Sequence, residues 1–420
     1  MIYKIKNYDL KIKLFINLFF IVNLNVFFIE INEKKLKIQN KNISNIDELI
    51  EKLNLFSSSR EPNNYLFSDL FTSKYCYDKN SYYIFDYYLN KNYSAYYLIN
   101  SESDLYFSLL RQNKTKNLIL YKTNENIYNK MFPYLLNAKT IIQSYIIPEI
   151  HLIVSKVPYI KFLRVNHGVR YFKPTNFECP ILSREKRNTI ASSPIESKLL
   201  YGNYKKDQIF NAGLARWERF NYKKKKKSEK SCILMSFTRR EYSNDIFQKS
   251  LYKKNLEKFF NNTNFIEYIK RSNIELIYIP HHRELFLQKN YTQNMFKSAI
   301  LGKQNKLEYY IEQCSLLITD FSSICFDFFF QNKPVLFYSI DFNDSLKFSE
   351  KYLFKKKNDF IFFGNAFEEQ ELLIKKIKYY IERNFQIEPE IKYKYNSLFF
   401  CKKNIIQKIS NAIEKIISES

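Results

Sequence analysis

Short apolar runs of strand length alternate along this chain with stretches of helical period. The runs 95–99 (AYYLI) and 117–121 (NLILY) are the first clear ones, with a helical period over 127–138 after them. The segment 160–168 (IKFLRVNHG) is another strand pattern, and it ends at a polar break. The rhythm restarts near residue 188. There Ser193 as N-cap, Pro194 at the first helical position and Glu196 at the third predict a capped helix start. Further strand patterns follow at 208–213, 232–237, 274–280, 315–320 and 334–338, with helical patterns between them. Strands alternating with helices predict parallel α/β organisation. The pattern divides the chain into an extension (1–75), one α/β domain (76–187), a second (188–385) and a closing helical segment (386–420), with amphipathic helices over 366–385 and 401–418. In open parallel sheets, ligands bind outside the carboxyl ends of the strands, so a cleft between two such domains collects residues from both.

Composition changes this picture in two ways. At 420 residues with 45% hydrophobic content, the chain can bury two cores, which excludes global disorder. The net charge of +25 points to a polyanionic partner, an anionic membrane or a phosphate-bearing substrate. The chain is also crowded with Lys, Asn, Ile, Tyr and Phe and has 5 Gly, the drift of an AT-rich genome, so much of that charge is solvated surface. Residues that drift would remove are therefore informative. Ten of the 13 Arg lie between Arg164 and Arg283, where an even spread would put about 4. His167, His281 and His282 fall in the same window, as does the single Trp, Trp217.

The six Cys have no metal-like spacing, which indicates a reducing compartment with no disulfide framework. No metal-ligand cluster is visible, which leaves room only for a loosely held Mg²⁺. Near the N-terminus, Lys4, Lys6, Lys11 and Lys13 precede an apolar stretch over 14–29. It is short for a spanning helix and lacks a cleavage site, so it reads as a core or interfacial element compatible with a loose membrane contact.

Five polar clusters follow strand patterns. Asn166-His167-Gly168-Val169-Arg170 with Lys173 sets an imidazole beside cations, suited to a general base near a phosphate; a turn histidine is the plain alternative. Gly213 to Glu218 carries Arg216, and Met235 to Arg240 carries Arg239 and Arg240. Arg grips phosphate through a planar fork that Lys cannot imitate. Pro280-His281-His282-Arg283 offers one histidine to a cleft, since neighbours on an extended strand end point to opposite sides. Thr319-Asp320-Phe321-Ser322-Ser323 precedes a helical pattern, whose first N–H groups would hold an anion; N-capping by Asp320 or a serine is the alternative. The run Lys223 to Lys227 reads as a solvated loop.

Taken in order, His167-Gly168 with Lys173, Gly213 with Arg216, Arg239, Pro280-His281 and Thr319-Asp320-Phe321-Ser322-Ser323 with Lys333-Pro334 resemble the CDP-glycerol glycerophosphotransferase family of teichoic-acid and capsule polymerases. The resemblance covers about residues 80 to 385. Departures are Val169 for Thr, Ala215 for Pro, Glu218 for Asp and Ser236-Phe237 for Pro-Thr. The resemblance implies a GT-B-like α/β fold of two Rossmann-like domains with parallel sheets facing a central cleft. It implies His167 and His281 as catalytic residues. It implies substrate contacts from Gly168, Arg170, Lys173, Arg216, Arg239, Arg240, His282, Thr319, Asp320, Ser322 and Ser323. The implied reaction moves glycerol phosphate, or a related polyol phosphate, from CDP-glycerol to a hydroxyl of a polyol-phosphate or glycan acceptor, releasing CMP. The implied location is cytoplasmic and peripheral on the inner membrane face, with no nucleic-acid partner. A GT-B glycosyltransferase using a nucleotide sugar is the nearest rival. A basic, non-catalytic binder of nucleic acid or anionic membrane is the remote one: it explains the charge but not the clustering of Arg and His at strand ends.

Overall fold

The computed structural model describes residues 47, 50–51, 53–54, 62–69, 79–122, 131, 134–135, 137–145, 148–171, 182–222, 231–238, 250–281, 299–341 and 365–419. Their short apolar strands, buried on both faces, assemble into two wholly parallel sheets, which is why they read as continuous runs and not as alternating patterns. The first sheet contains β1 (Asn64–Ser68), β2 (Ala95–Asn100), β3 (Leu118–Tyr121), β4 (Ala138–Gln143), β5 (Lys161–Arg164), β6 (Thr189–Ala191) and β7 (Ile209–Asn211). Their order is β3-β2-β1-β4-β5-β6-β7. The second contains β8 (Ser231–Met235), β9 (Ile274–Tyr278), β10 (Ile300–Leu301), β11 (Leu316–Thr319), β12 (Val335–Tyr338) and β13 (Asn365–Phe367), in the order β10-β9-β8-β11-β12-β13. Counted within itself, the first sheet runs 3-2-1-4-5-6-7 and the second 3-2-1-4-5-6, the doubly wound order, each with its switch point between its first and fourth strands.

The boundary expected at 188 is corrected. β6 and β7 extend the first sheet outward from β5, with Arg164 paired to Thr189, so the change of sheet falls between Asn211 and Ser231. An apolar run after a polar break looks the same whether it joins an old sheet or founds a new one; its period specifies a strand, not a partner. β1 lies inside the stretch assigned above to the extension (1–75). β4 opens at Ala138, which that pattern gave to a helix.

The closing helices Gln370–Glu382 and Ile405–Ser418 form as expected, with Pro389–Ser397 between them. The last one crosses back and packs on the first half, against the helix Asn80–Asn90 and strands β4, β5 and β7. One core cluster joins both sheets: Tyr65, Tyr97 and Leu163 belong to the same buried network as Leu234, Leu317, Phe326 and Phe329, with Ile409 and Ile413 from the returning helix. Separate clusters fill the outer face of each sheet. Among the described residues, eight of ten non-glycine residues with positive φ are Asn. Asn tolerates the left-handed region better than other side-chain-bearing residues, so it fills the turns that this glycine-poor chain needs. The stretch 14–29 and the run 223–227 lie outside the described residues. Among the described residues, no helix is long and apolar enough to cross a membrane.

Candidate active site

β5 leaves the first sheet at its carboxyl end through Val165 and Asn166, and the chain then turns at His167-Gly168. Asn166 takes φ 44°, a value a β-branched residue would resist. The turn is fastened by its backbone. Asn80 Nδ2 donates to Asn166 O at 2.8 Å, Asn166 Nδ2 donates to Ile190 O at 2.8 Å, and Arg216 Nη1 donates to His167 O at 2.5 Å. The imidazole itself is exposed and stacks on Tyr145, just past β4, with centroids 4.5 Å apart and planes 17° off parallel. A rigid backbone thus presents a solvent-reachable imidazole. Three residues on, the main-chain N–H of Arg170 donates to Glu196 Oε1 at 2.8 Å. Glu196 is buried, and that burial pushes its carboxyl above the usual range. Its helix starts as expected, with Ser193 Oγ accepting from Glu196 N at 3.0 Å. The carboxylate, however, reaches Ser192 and Arg170 in place of the cap residue.

At the carboxyl edge of the second sheet, the acid of the Thr319–Ser323 cluster bonds to the exit of a neighbouring strand. Asp320 is buried, and its Oδ1 accepts from both Thr238 N and Thr238 Oγ1 at 2.9 Å, across the switch point between β8 and β11. Thr319 Oγ1 donates to Ser236 O at 2.6 Å over the same gap. The two residues lock together the exits of adjacent strands. Simple capping is not what the hydroxyls and acid do: the helix Cys325–Phe330 starts later, with no side-chain cap. Ser322 O and Ser323 O instead accept from Cys325 N (3.2 Å) and Phe326 N (3.1 Å). The Ser322 and Ser323 side chains are half-buried. Lys333 is buried, and its Nζ donates to Ile311 O (2.8 Å) and Glu312 O (2.7 Å), closing the end of the helix Leu307–Gln313. His281 is half-buried just past β9, on the same carboxyl edge. Two strand spacings, about 10 Å, separate β9 from β11.

The two edges meet at Gly168. A Cβ on that residue would lie 2.8 Å from Ser323 Oγ and 3.4 Å from Ser323 Cβ. The glycine thus permits the close approach of the His167 turn to the Ser323 hydroxyl, which a Cβ would have to displace.

Arg216, expected among the substrate contacts, is placed differently. It is buried, with Nε 2.8 Å from Asp327 Oδ1 and Nη2 2.9 Å from Asp327 Oδ2, a bidentate pair with the helix Cys325–Phe330. Trp217 Nε1 donates to the same Asp327 Oδ1 at 2.8 Å, and its ring stacks on Phe330 at 4.9 Å. Glu218 accepts from Ile405 N at 2.5 Å, setting a carboxylate at the start of the returning helix, and Gly213 leaves room for the Ile405 side chain. Arg219 Nη1 reaches Glu308 at 2.5 Å and its Nε reaches Glu312 at 2.9 Å, with Lys79 also on Glu308 at 2.6 Å. The whole 213–219 segment is a joint between the two halves. Clustered Arg therefore reports planar pairing with carboxylates here, and not only a need for phosphate. Sequence reasoning missed Tyr145, Asn80 and Asp327. Of these Asp327 had a signal, as a lone acid inside CFDFFF, where a buried charge needs a partner. Lys173, Arg239, Arg240 and His282 lie outside the described residues; Thr238, held by Asp320, immediately precedes Arg239.

With this geometry in hand, comparison with known proteins is informative. A family model described as CDP-glycerol:poly(glycerophosphate) glycerophosphotransferase matches residues 52–415. The minor teichoic acid biosynthesis protein GgaB of Bacillus subtilis (strain 168) is 23% identical over 364 residues, covering 80% of this chain and 38% of GgaB. The chain thus spans well under half the length of that relative. Among solved structures, the wall teichoic acid polymerase TagF aligns with a TM-score of 0.61 at 16% identity, over 92% of this chain and 97% of that one. The S. aureus MnaA-UDP co-structure aligns with a TM-score of 0.52 at 12% identity, over 85% and 97%. These structural likenesses place the fold in the GT-B-like class, two parallel α/β halves.

Proposed function

This chain belongs to the CDP-glycerol:poly(glycerophosphate) glycerophosphotransferase family, and from that premise we propose that it transfers glycerol phosphate, or a related polyol phosphate, from its CDP ester to a hydroxyl of a surface polymer or glycan. The observation that carries this reading is the contact of Gly168 with Ser323, which sets an exposed imidazole turn against the half-buried serines of the opposite sheet. A TagF variant soaked with CDPG supports the choice of donor.

In the proposed reaction Ser322 and Ser323 contact the donor diphosphate, while Thr319 and Asp320 hold their loop and Thr238 in place. His167 accepts the proton of the acceptor hydroxyl. The freed oxygen forms a bond to the β-phosphorus, the bond from that phosphorus to the bridging oxygen breaks, and CMP departs with the electron pair. His281, with Arg239 and Arg240, offsets the charge that develops on the phosphoryl group and on CMP. Such transfer depends mainly on positioning and electrostatics. The net charge of +25 supports peripheral attachment to an anionic inner membrane face, read by co-sedimentation with anionic against neutral vesicles.

The test follows CMP release from a panel of CDP-polyols with polyol-phosphate and glycan acceptors, with Mg²⁺ and with EDTA. CDP-glycerol, or one close polyol ester, is expected to yield CMP only with an acceptor present. His167→Ala and His281→Ala are each expected to lower that rate by about 10² to 10⁴, the range of a general acid or base, with unfolding curves unchanged. Release of a nucleoside diphosphate from a nucleotide sugar, with no CMP from any CDP-polyol, would overturn the reading.

A further inference from the structure

The joint between the halves also bears on the chemistry. Arg216 spends its three guanidinium nitrogens on two targets: Nε and Nη2 on the Asp327 carboxylate, and Nη1 on the carbonyl of His167. Asp327 belongs to the helix that follows Ser322-Ser323, while His167 is the candidate base of the opposite sheet. One planar cation therefore ties the backbone of the base to the element that carries the serine loop. Its own main-chain N–H donates to Asn80 Oδ1 at 3.0 Å, and Asn80 Nδ2 returns to Asn166 O at 2.8 Å. Consecutive carbonyls of the His167 turn, Asn166 O and His167 O, are thus both held through the Arg216 assembly. Trp217 on Asp327 and the Phe330 stack fix the carboxylate end. No flexible ammonium could reproduce this, because a Lys cannot hold a bidentate carboxylate and a third acceptor in one plane.

We propose that Arg216, paired with Asp327, is a positioning residue that sets the His167 imidazole against the donor loop, and that it acts through His167 and not on substrate phosphate. This rests on the reading of His167 as the base. It makes a statement that reading does not: the Arg in this segment serves register between the halves, so its loss lowers turnover and leaves donor affinity intact.

The experiment is a double-mutant cycle of Arg216→Lys with His167→Ala, in the full chain, reading CMP release, CDP-glycerol affinity by calorimetry and unfolding midpoints. Arg216→Lys alone is expected to lower kcat by about 10²-fold, the cost of an ångström-scale misplacement. The donor Kd is expected to move by less than about twofold. In the His167→Ala background the same change is expected to cost less than about threefold, because the group it positions is gone. A donor Kd raised tenfold or more would overturn the proposal in favour of a phosphate ligand. Equal losses in both backgrounds would overturn it in favour of a merely structural role. Asp327→Asn keeps the side-chain shape and is expected to repeat the Arg216→Lys pattern; it serves if Arg216→Lys fails to fold. A second readout needs no turnover. The sequence has four His, so the ¹⁵N-imidazole signals of the wild type are assignable by single substitutions. Arg216→Lys is expected to shift and broaden the His167 signal, which sits on the Tyr145 ring, and to leave His151, buried against Phe162, unmoved. An unmoved His167 signal would overturn positioning. If the wild type releases no CMP, the proposed function fails while this spectrum still decides the role of Arg216.

Discussion

The two carboxyl edges that face each other are built on opposite plans. At the first, His167 is exposed and carries its chemistry outward, while the backbone around it is gripped by Asn80, Asn166 and Arg216. At the second, Asp320 is buried and turned inward onto Thr238, while half-buried Ser323 lies against the opposite turn. Polar residues past strand ends therefore divide into those that present a group and those that fasten the loop presenting it. Hydrogen bonds to a charged acceptor contribute about 1.5–3 kcal/mol each, roughly twice a neutral one, which suits a carboxylate to fastening.

That division can be broken by substitution. Of three further substitutions, the largest effect is expected from Gly168→Ala. Its Cβ would meet Ser323 Oγ at 2.8 Å, so that hydroxyl must swing from its place beside the turn, and CMP release should fall by about 10- to 100-fold with little change in the unfolding midpoint. An active Gly168→Ala enzyme would mean that the two edges work at a distance. Asp320→Ala comes next. It leaves Thr238 N–H buried without its acceptor, a cost of about 1–3 kcal/mol, and frees the strand exit leading to Arg239. Donor affinity should weaken by about tenfold, read by calorimetry; an unchanged Kd would assign Asp320 no part in shaping the donor side.

The smallest effect sharpens the comparison through pH. Glu308 lies under Arg219 and Lys79 at the joint between the halves. Burial raises its pKa, but the two cations outweigh burial and hold it below the ordinary 4.5. A carboxyl with a depressed folded pKa contributes stability that is complete above its unfolded value and is lost as pH falls through the folded value. Unfolding midpoints should therefore decline below about pH 4.5 with a component that Glu308→Gln removes. A wild-type and Glu308→Gln difference that stays constant down to acid pH would show that the joint gains nothing from this ionisation.

Much of the frame was legible in the sequence, and the reasons for the gaps are physical. Strands β2, β3, β5, β8, β9, β11 and β12 stand out as apolar runs because both sheet faces are buried. β1 and β4 did not, since NYLFS and AKTIIQ are flanked or interrupted by polar residues and so dilute the signal. Periodicity could not tell that β6 and β7 belong to the first sheet. At the site, the pairing of a polar turn with one of five glycines singled out His167-Gly168, and Gly168 does lie close against Ser323. The Arg signal was sound as chemistry, but its partner was misjudged: a planar fork fits the Asp327 carboxylate as well as a phosphate, and only the fold says which is near. Asp320 was legible as a capping candidate, but its partner Thr238 lies just past β8, 82 residues away, where no local pattern could show it.

The most direct test of the central claim is a structure of the chain with its CDP-polyol donor bound. The diphosphate is predicted against Ser322 and Ser323, with the β-phosphorus turned toward the His167 imidazole and Gly168 still in contact with Ser323. A donor lodged elsewhere, with its β-phosphorus turned away from His167, would contradict the account.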